Sequence, residues 1–218
     1  MPKKDTISLH SVLKKYNLNE RQKVAVESIK NNKITVLYGK SGTAKTFSAV
    51  YAAMKLLTSE EETKRIYLSR PLVTTEKLGF LPGDVNEKID PFLNPLINFF
   101  NKFGDAGIKT FDSLVAAEKI QRIPVGLMRG HTIEEGILIL DEAQNLTPHQ
   151  MLMVLTRIGN NGRIVISGDY EQNDISDPVT GLEHVLKLSE KLPYVKTIEM
   201  IENMRDPIIN EIIEHWPS

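Results

Sequence analysis

The chain has 218 residues, 41% hydrophobic and 25% charged, with a net charge of −1 and no cysteine. That supplies a substantial core without covalent staples, excludes disulfides and thiolate metal sites, and gives the whole molecule no general attraction to nucleic acid. No apolar run reaches membrane-span length and 1-MPKKDTISLH-10 lacks a secretion signal's apolar block, so a cytoplasmic protein without membrane contact is expected.

The charge is uneven along the chain. Residues 1–33 carry eight Lys/Arg against three Asp/Glu, and residues 171–218 carry four against ten. The basic amino end can contact phosphates or simply form a solvated helix face. A helix over 19–30 comes first, then a short apolar strand, 34-ITVLY-38, the Gly-rich stretch 39-GKSGTAKT-46 and a helix over 45–58. Strand 66-IYLS-69 is followed by helices over 86–103 and 112–121. Strand 137-ILIL-140 then leads to a helix over 147–159, with Thr147 as N-cap and Pro148 at the first helical position. Strand 164-IVIS-167, a helix over 180–191 and strand 197-TIEMI-201 complete the pattern, with a last helix over 206–216 opened by Asp206-Pro207. Short β-branched or Leu-rich runs suit strands buried on both faces. Strands alternating with helices predict an α/β domain with a mostly parallel sheet, one domain over 1–218 with a basic extension at 1–18. Ligands of such sheets bind at the carboxyl ends of strands, where the polar motifs fall here.

The stretch 39–46 nearly matches the phosphate-cradling pattern G-x-x-x-x-G-K-[ST]. Gly39 and Gly42 permit tight curvature, and the N–H groups of Lys40, Ser41, Thr43 and their neighbours point outward at a helix start. Lys45 is placed to reach the β and γ phosphates of ATP, and Thr46 to ligate Mg²⁺. Ala44 stands where the second glycine belongs. If that position needs a positive φ, Ala costs about 1 kcal/mol over Gly; if it is helical, the methyl crowds the phosphates. Either way weakened rather than absent binding is expected.

The run 137-ILILDEAQN-145 delivers Asp141 and Glu142 to a strand's carboxyl end. An Asp there can hold a Mg²⁺-nucleotide, and an adjacent carboxylate can orient or deprotonate the attacking water. Gln144 is positioned to sense the γ-phosphate. The bland alternative is an Asp141 that caps the following loop. In 163-RIVISGDYEQND-174 a third strand ends in polar residues, and Gln172 can contact the γ-phosphate or couple it to a nucleic-acid track, whereas Asp169 can be a plain turn residue.

Taken together, 39-GKSGTAKT-46, 70-RPLVTTEKLGFLPGDVNEKIDPFLNPL-96, 129-RGHT-132, 141-DEAQNLTPHQMLMVLTRIG-159 and 168-GDYEQND-174 resemble the PhoH family, ATPases related to the first RecA-like half of superfamily-one helicases. The resemblance runs from about Asn19 to Pro207. It implies a RecA-like P-loop fold, with Gln22 reading the adenine edge and Arg70, Pro71 and Thr74 contacting a nucleic-acid backbone. His131 stands where many members carry Arg. Members can also carry a PIN or RNA-binding domain; residues 1–18 are too few for either, so a bare ATPase core is expected. One such domain is half a helicase cleft, and the arginine that meets charge on the transferring phosphoryl group would come from another subunit. Arg205 is the preferred candidate, with Arg157 as the other, and a homo-oligomer, by analogy a hexameric ring, follows. Two further readings stay open: a slow ATP-sensing switch, and a small-molecule kinase. The DEAQ run and residues 79–88 speak against the kinase.

Overall fold

A computed structural model describes residues 13–59, 63–71, 93–100, 102–103, 111–175, 179–204 and 206–215. Its frame is one sheet of β1 (Ile34–Tyr38), β2 (Arg65–Ser69), β3 (Ile120–Arg122), β4 (Gly136–Leu140), β5 (Arg163–Gly168) and β6 (Val195–Glu199). The strands lie in the order β3-β2-β4-β5-β1-β6, and every pairing is parallel. Around it stand α1 (Glu20–Asn31), α2 (Lys45–Ser59), α3 (Pro148–Leu155), α4 (Gly181–Ser189) and α5 (Pro207–Glu214). Residues 93–100 and 111–116 are also helical.

Successive side chains of a strand point to opposite faces, so a strand apolar at every position buries both. Leu37, Ile66, Leu68, Ile137, Ile139 and Val165 pack on one face with Ala25 and Ile29 of α1, Met54 of α2, and Leu96 and Phe100. Val36, Tyr67, Leu138, Leu140, Ile164 and Ile166 point the other way, onto Met151 and Val154 of α3 and Leu182 and Val185 of α4. Three layers result, α/β/α, in the RecA-like P-loop arrangement expected from the sequence.

Local chemistry starts the helices. Asn19 caps α1: its Oδ1 accepts the Gln22 N–H at 2.7 Å, while Gln22 Oε1 accepts the Asn19 N–H at 3.0 Å. Thr147 and Gln150 repeat this box on α3, at 3.2 and 3.0 Å, with Pro148 in the first turn. The Ile208 N–H donates to Asp206 Oδ1 at 3.1 Å where α5 begins.

Several elements differ from the sequence reading. The helix expected over 112–121 stops at 116, turns through Glu118 at φ +54°, and gives way to β3. The α3 helix ends at Leu155 rather than 159, because Ile158 leaves to bridge Ile133. Strand β6 begins two residues earlier than expected. Of the helix expected over 86–103, residues 86–92 and 101 lie outside the described residues. No helix among the described residues is long and apolar enough to cross a membrane.

The strand order sets the site. From β1 the chain crosses to β2, beyond β5 and β4, while β6 lies on the other side of β1. That reversal places a crevice at the carboxyl end of β1.

Candidate active site

The chain must turn from Tyr38 into α2 within six residues. Gly39 does so at φ +138°, and a Cβ there would sit 2.2 Å from the Met200 carbonyl oxygen, so only glycine fits. Gly42 takes φ +86° and Ala44 φ +61°. Position 44 is therefore left-handed, and Ala44 bears a backbone cost of about 1 kcal/mol. The Lys45 ammonium donates to the carbonyls of Gly39 at 2.6 Å and Lys40 at 2.8 Å, curled inside the loop. The Thr43 hydroxyl donates to the Lys40 carbonyl at 2.8 Å. The Lys40 side chain turns outward, 3.3 Å from Glu171.

At the end of β4, the Thr46 hydroxyl donates to Asp141 Oδ1 at 2.8 Å. Burial raises the pKa of the Asp141 carboxyl and the Glu142 charge pushes the same way, against the Thr46 hydroxyl, Arg70 and Ser167. The buried Ser167 hydroxyl lies close enough to favour the charged form yet completes no well-formed hydrogen bond. A desolvated carboxylate beside a hydroxyl is a fit for a hard cation, which restores the charge balance that burial removed. Among the described residues no group of three or more His, Cys, Asp or Glu encloses a point. A Mg²⁺ held here would complete its shell with water and phosphate oxygens, as that ion usually does.

Glu142 sits in the left-handed region, φ +52° and ψ +41°. Its Oε1 lies 3.0 Å from Arg70 Nη2, and its Oε2 accepts from Gln144 Nε2 at 2.6 Å. Gln144 Oε1 in turn accepts the Asp169 N–H at 3.0 Å.

A cavity of about 490 Å³ opens above these strand ends. The loop from Ser41 to Thr46 lines it, together with Asp141, Glu142, Ser167 and Gln172. Gln22, Phe47, Phe99 and Met204 also line it, the last three with apolar surface suited to a base. The capping box occupies Gln22 Oε1, so a ligand contact would fall to its amide nitrogen. The expected residues Gly39 and Lys40 shape the loop from behind, and Gln144, Arg70 and Pro71 do not line the cavity. Thr74 and Arg205 lie outside the described residues. Arg157 is spent on its own helix end, donating to the Met153 carbonyl at 3.2 Å and Thr156 Oγ1 at 3.3 Å.

Sequence reasoning missed Ser167, Phe47, Phe99 and Met204. Ser167 carried a signal, a hydroxyl just before the Gly-Asp that ends a strand. Met204 carried none: its N–H donates to the Gly42 carbonyl at 2.9 Å only because β6 lies beside β1.

A left-to-right switch in a parallel sheet, with a glycine-bent loop into a helix and an Asp-Glu pair two strands away, defines a P-loop nucleotide-binding domain of the RecA-like class. Within that class the chain belongs to the PhoH-like protein family, whose model matches residues 16–216. It is 36% identical over 201 residues to the PhoH-like protein of Synechocystis sp. (strain ATCC 27184 / PCC 6803 / Kazusa), covering 90% of this chain and 60% of that protein. To the PhoH-like protein of Bacillus subtilis (strain 168) it is 37% identical over 199 residues, covering 89% and 61%. The chain thus spans about 60% of the length of these curated relatives. A crystal structure of Pif1 helicase from Candida albicans is similar at a TM-score of 0.48 and 15% identity, over 91% of this chain and 43% of that one.

Proposed function

We propose that the chain is a Mg²⁺-dependent ATPase acting on RNA or single-stranded DNA as a homo-oligomer. The supporting observation is the convergence on one cavity of Lys45 and Thr46, Asp141 and Glu142, and Gln172, from three strand ends. Lys45 exchanges its two carbonyl acceptors for β- and γ-phosphate oxygens, and the N–H groups of the loop hold the rest. Thr46 and Asp141 hold the metal, which when bound neutralises charge on those phosphates. Glu142 orients the attacking water and takes its proton, while Gln172 contacts the γ-phosphate. Gln22 donates to the adenine edge.

For the nucleic acid, Arg70, Pro71 and Thr74 are the proposed backbone contacts. Arg70 faces Glu142 as well. Arg70→Ala therefore changes turnover along with strand binding, and leaves ATP affinity unchanged.

The decisive variants are Lys45→Ala, which loses ATP affinity, and Glu142→Gln, which binds ATP but slows on the order of a hundredfold or more as its base is removed. Glu142→Gln turning over at the wild-type rate overturns the proposal. A second reading, a slow ATP-sensing switch, is favoured by the ion pair that ties Glu142 to Arg70. Turnover with and without poly(U) separates them: stimulation supports the motor, and tight ATP binding with negligible turnover supports the switch.

A further inference from the structure

Gln144 follows Glu142 by two residues, yet its side chain is 2% exposed and does not line the cavity. Its amide is spent inside the protein, giving a hydrogen bond to Glu142 and taking one from the backbone of Asp169. We propose that Gln144 is a positioning residue for Glu142, fastening that carboxylate to the loop that carries Gln172. The proposal rests on the ATPase reading above.

The amide suits this place because its two ends differ. Nε2 meets a carboxylate oxygen and Oε1 meets an N–H; a flipped amide would set oxygen against oxygen and N–H against N–H, losing both bonds. Space for it comes from Gly168, where a Cβ would stand 3.1 Å from Gln144 Oε1 and 2.8 Å from Leu182 Cδ2. The next residue repeats the brace. Asn145 Nδ2 donates to Asp174 Oδ2 at 3.1 Å, and the Asp174 N–H donates to Asn145 Oδ1 at 2.8 Å. Residues 169–174 are thus pinned at both ends to the turn at Ala143–Asn145, and Gln172 lies between the pins. Glu142 needs such a hold, since its backbone is in a conformation that non-glycine residues adopt at a cost. A general base displaced by about 1 Å can lose on the order of a hundredfold in rate.

Gln144→Glu keeps the shape and makes the donor titratable. Ionised, the introduced carboxyl has no proton to give Glu142 and repels it. Protonated, it donates through one oxygen and accepts the Asp169 N–H on the other, as the amide does. The charged groups around it are Asp141 and Glu142 from β4, Arg70 from β2, and Asp169 and Asp174 from the loop after β5, with Lys45 of α2 across the cavity; α4 brings Leu182 up beside Gly168. Carboxylates outnumber the cations, so the introduced group titrates above the ordinary Glu value of about 4.3.

The measurement is ATP turnover and ATP-analogue affinity across pH for wild type, Gln144→Glu and Gln144→Met. At about pH 8 Gln144→Glu is expected to lose on the order of a hundredfold in kcat, with affinity held within about twofold. Relative to wild type, that loss shrinks as pH falls toward about 6, because the donor returns on protonation. Gln144→Met, with nothing to titrate, stays slow throughout. A flat ratio for Gln144→Glu, wild-type turnover in Gln144→Met, or affinity lost in step with kcat overturns the proposal. Should Gln144→Met fail to fold, the pH profile of Gln144→Glu still decides. Wild-type turnover with a flat ratio defeats this inference alone, whereas absence of Glu142-dependent turnover in the wild type defeats the ATPase reading and this one with it.

Discussion

Two side chains in the crevice sit where the protein resists them, and both yield measurable consequences. Ala44 occupies φ +61°, a region that disfavours any side chain with a Cβ. Ala44→Gly removes that cost without touching a neighbour, so it is expected to stabilise the chain by about 1 kcal/mol and tighten ATP. A large fall in ATP affinity in the glycine variant would refute the account. Asp141 is the second case. Its pKa is raised, chiefly by burial and then by Glu142. A raised folded-state pKa means that the protonated form is favoured in the fold, so its contribution is complete below the unfolded-state value and is lost as pH rises through the folded one. Asp141→Asn keeps an acceptor for the Thr46 hydroxyl and discards the charge. Without metal it should melt higher than wild type near neutral pH, by roughly 2–4 °C per kcal/mol released, with no gain in acid. It should also lose the stabilisation by Mg²⁺-ATP. A lower melting temperature at neutral pH in metal-free buffer counts against a strained carboxylate.

The elements show why parts of this architecture were legible before any coordinates and others were not. Strands β1, β4 and β5 are buried at nearly every position around apolar runs such as 137-ILIL-140 and 164-IVI-166, and a strand buried on two faces leaves that trace in any sequence. Thr147-Pro148 announced α3 because a cap and a first-turn proline act locally. Strand β3 left no such trace. It has three residues at the sheet edge and, among the described residues, pairs with β2 alone, so pairing rather than pattern makes it. The loop and the Asp-Glu pair were readable for the same local reason. The Gln144 brace was not, since nothing near 144 announces a bond to the backbone 25 residues later. The contact of α3 with α4 is equally non-local. Gly181 opens α4 where a Cβ would stand 2.6 Å from Met151 Cβ and 2.8 Å from the Thr147 carbonyl oxygen. Gly181→Ala must push the two helices apart, at about 1–3 kcal/mol, which a thermal melt reads as a loss of several degrees. An unchanged melt would mean that this contact gives way freely.

At the scale of the whole molecule, the segment that follows β6 links the cavity to exposed apolar side chains. Met204 lines the cavity, and Ile201, Met204, Ile208 and Ile212 are all exposed along the segment that follows β6. On the ATPase proposal, a neighbouring copy that covers Met204 would stand at the cavity, where a transferring phosphoryl group needs an arginine. In the proposed homo-oligomer, such a head-to-tail contact closes into a ring when the rotation allows. Under this proposal Arg205 serves the neighbour's site, and Arg157, tied to its own helix, does not. Ile208→Lys with Ile212→Lys should then lower both the mass seen by light scattering and the turnover, leaving the fold intact by circular dichroism. Mixing tests the shared site directly. Arg205→Ala and Lys45→Ala proteins, each inactive alone, should recover partial turnover when combined, because some interfaces then join an intact loop to an intact arginine. A strict monomer at working concentration with full turnover removes the need for a second copy, and with it this assignment of Arg205.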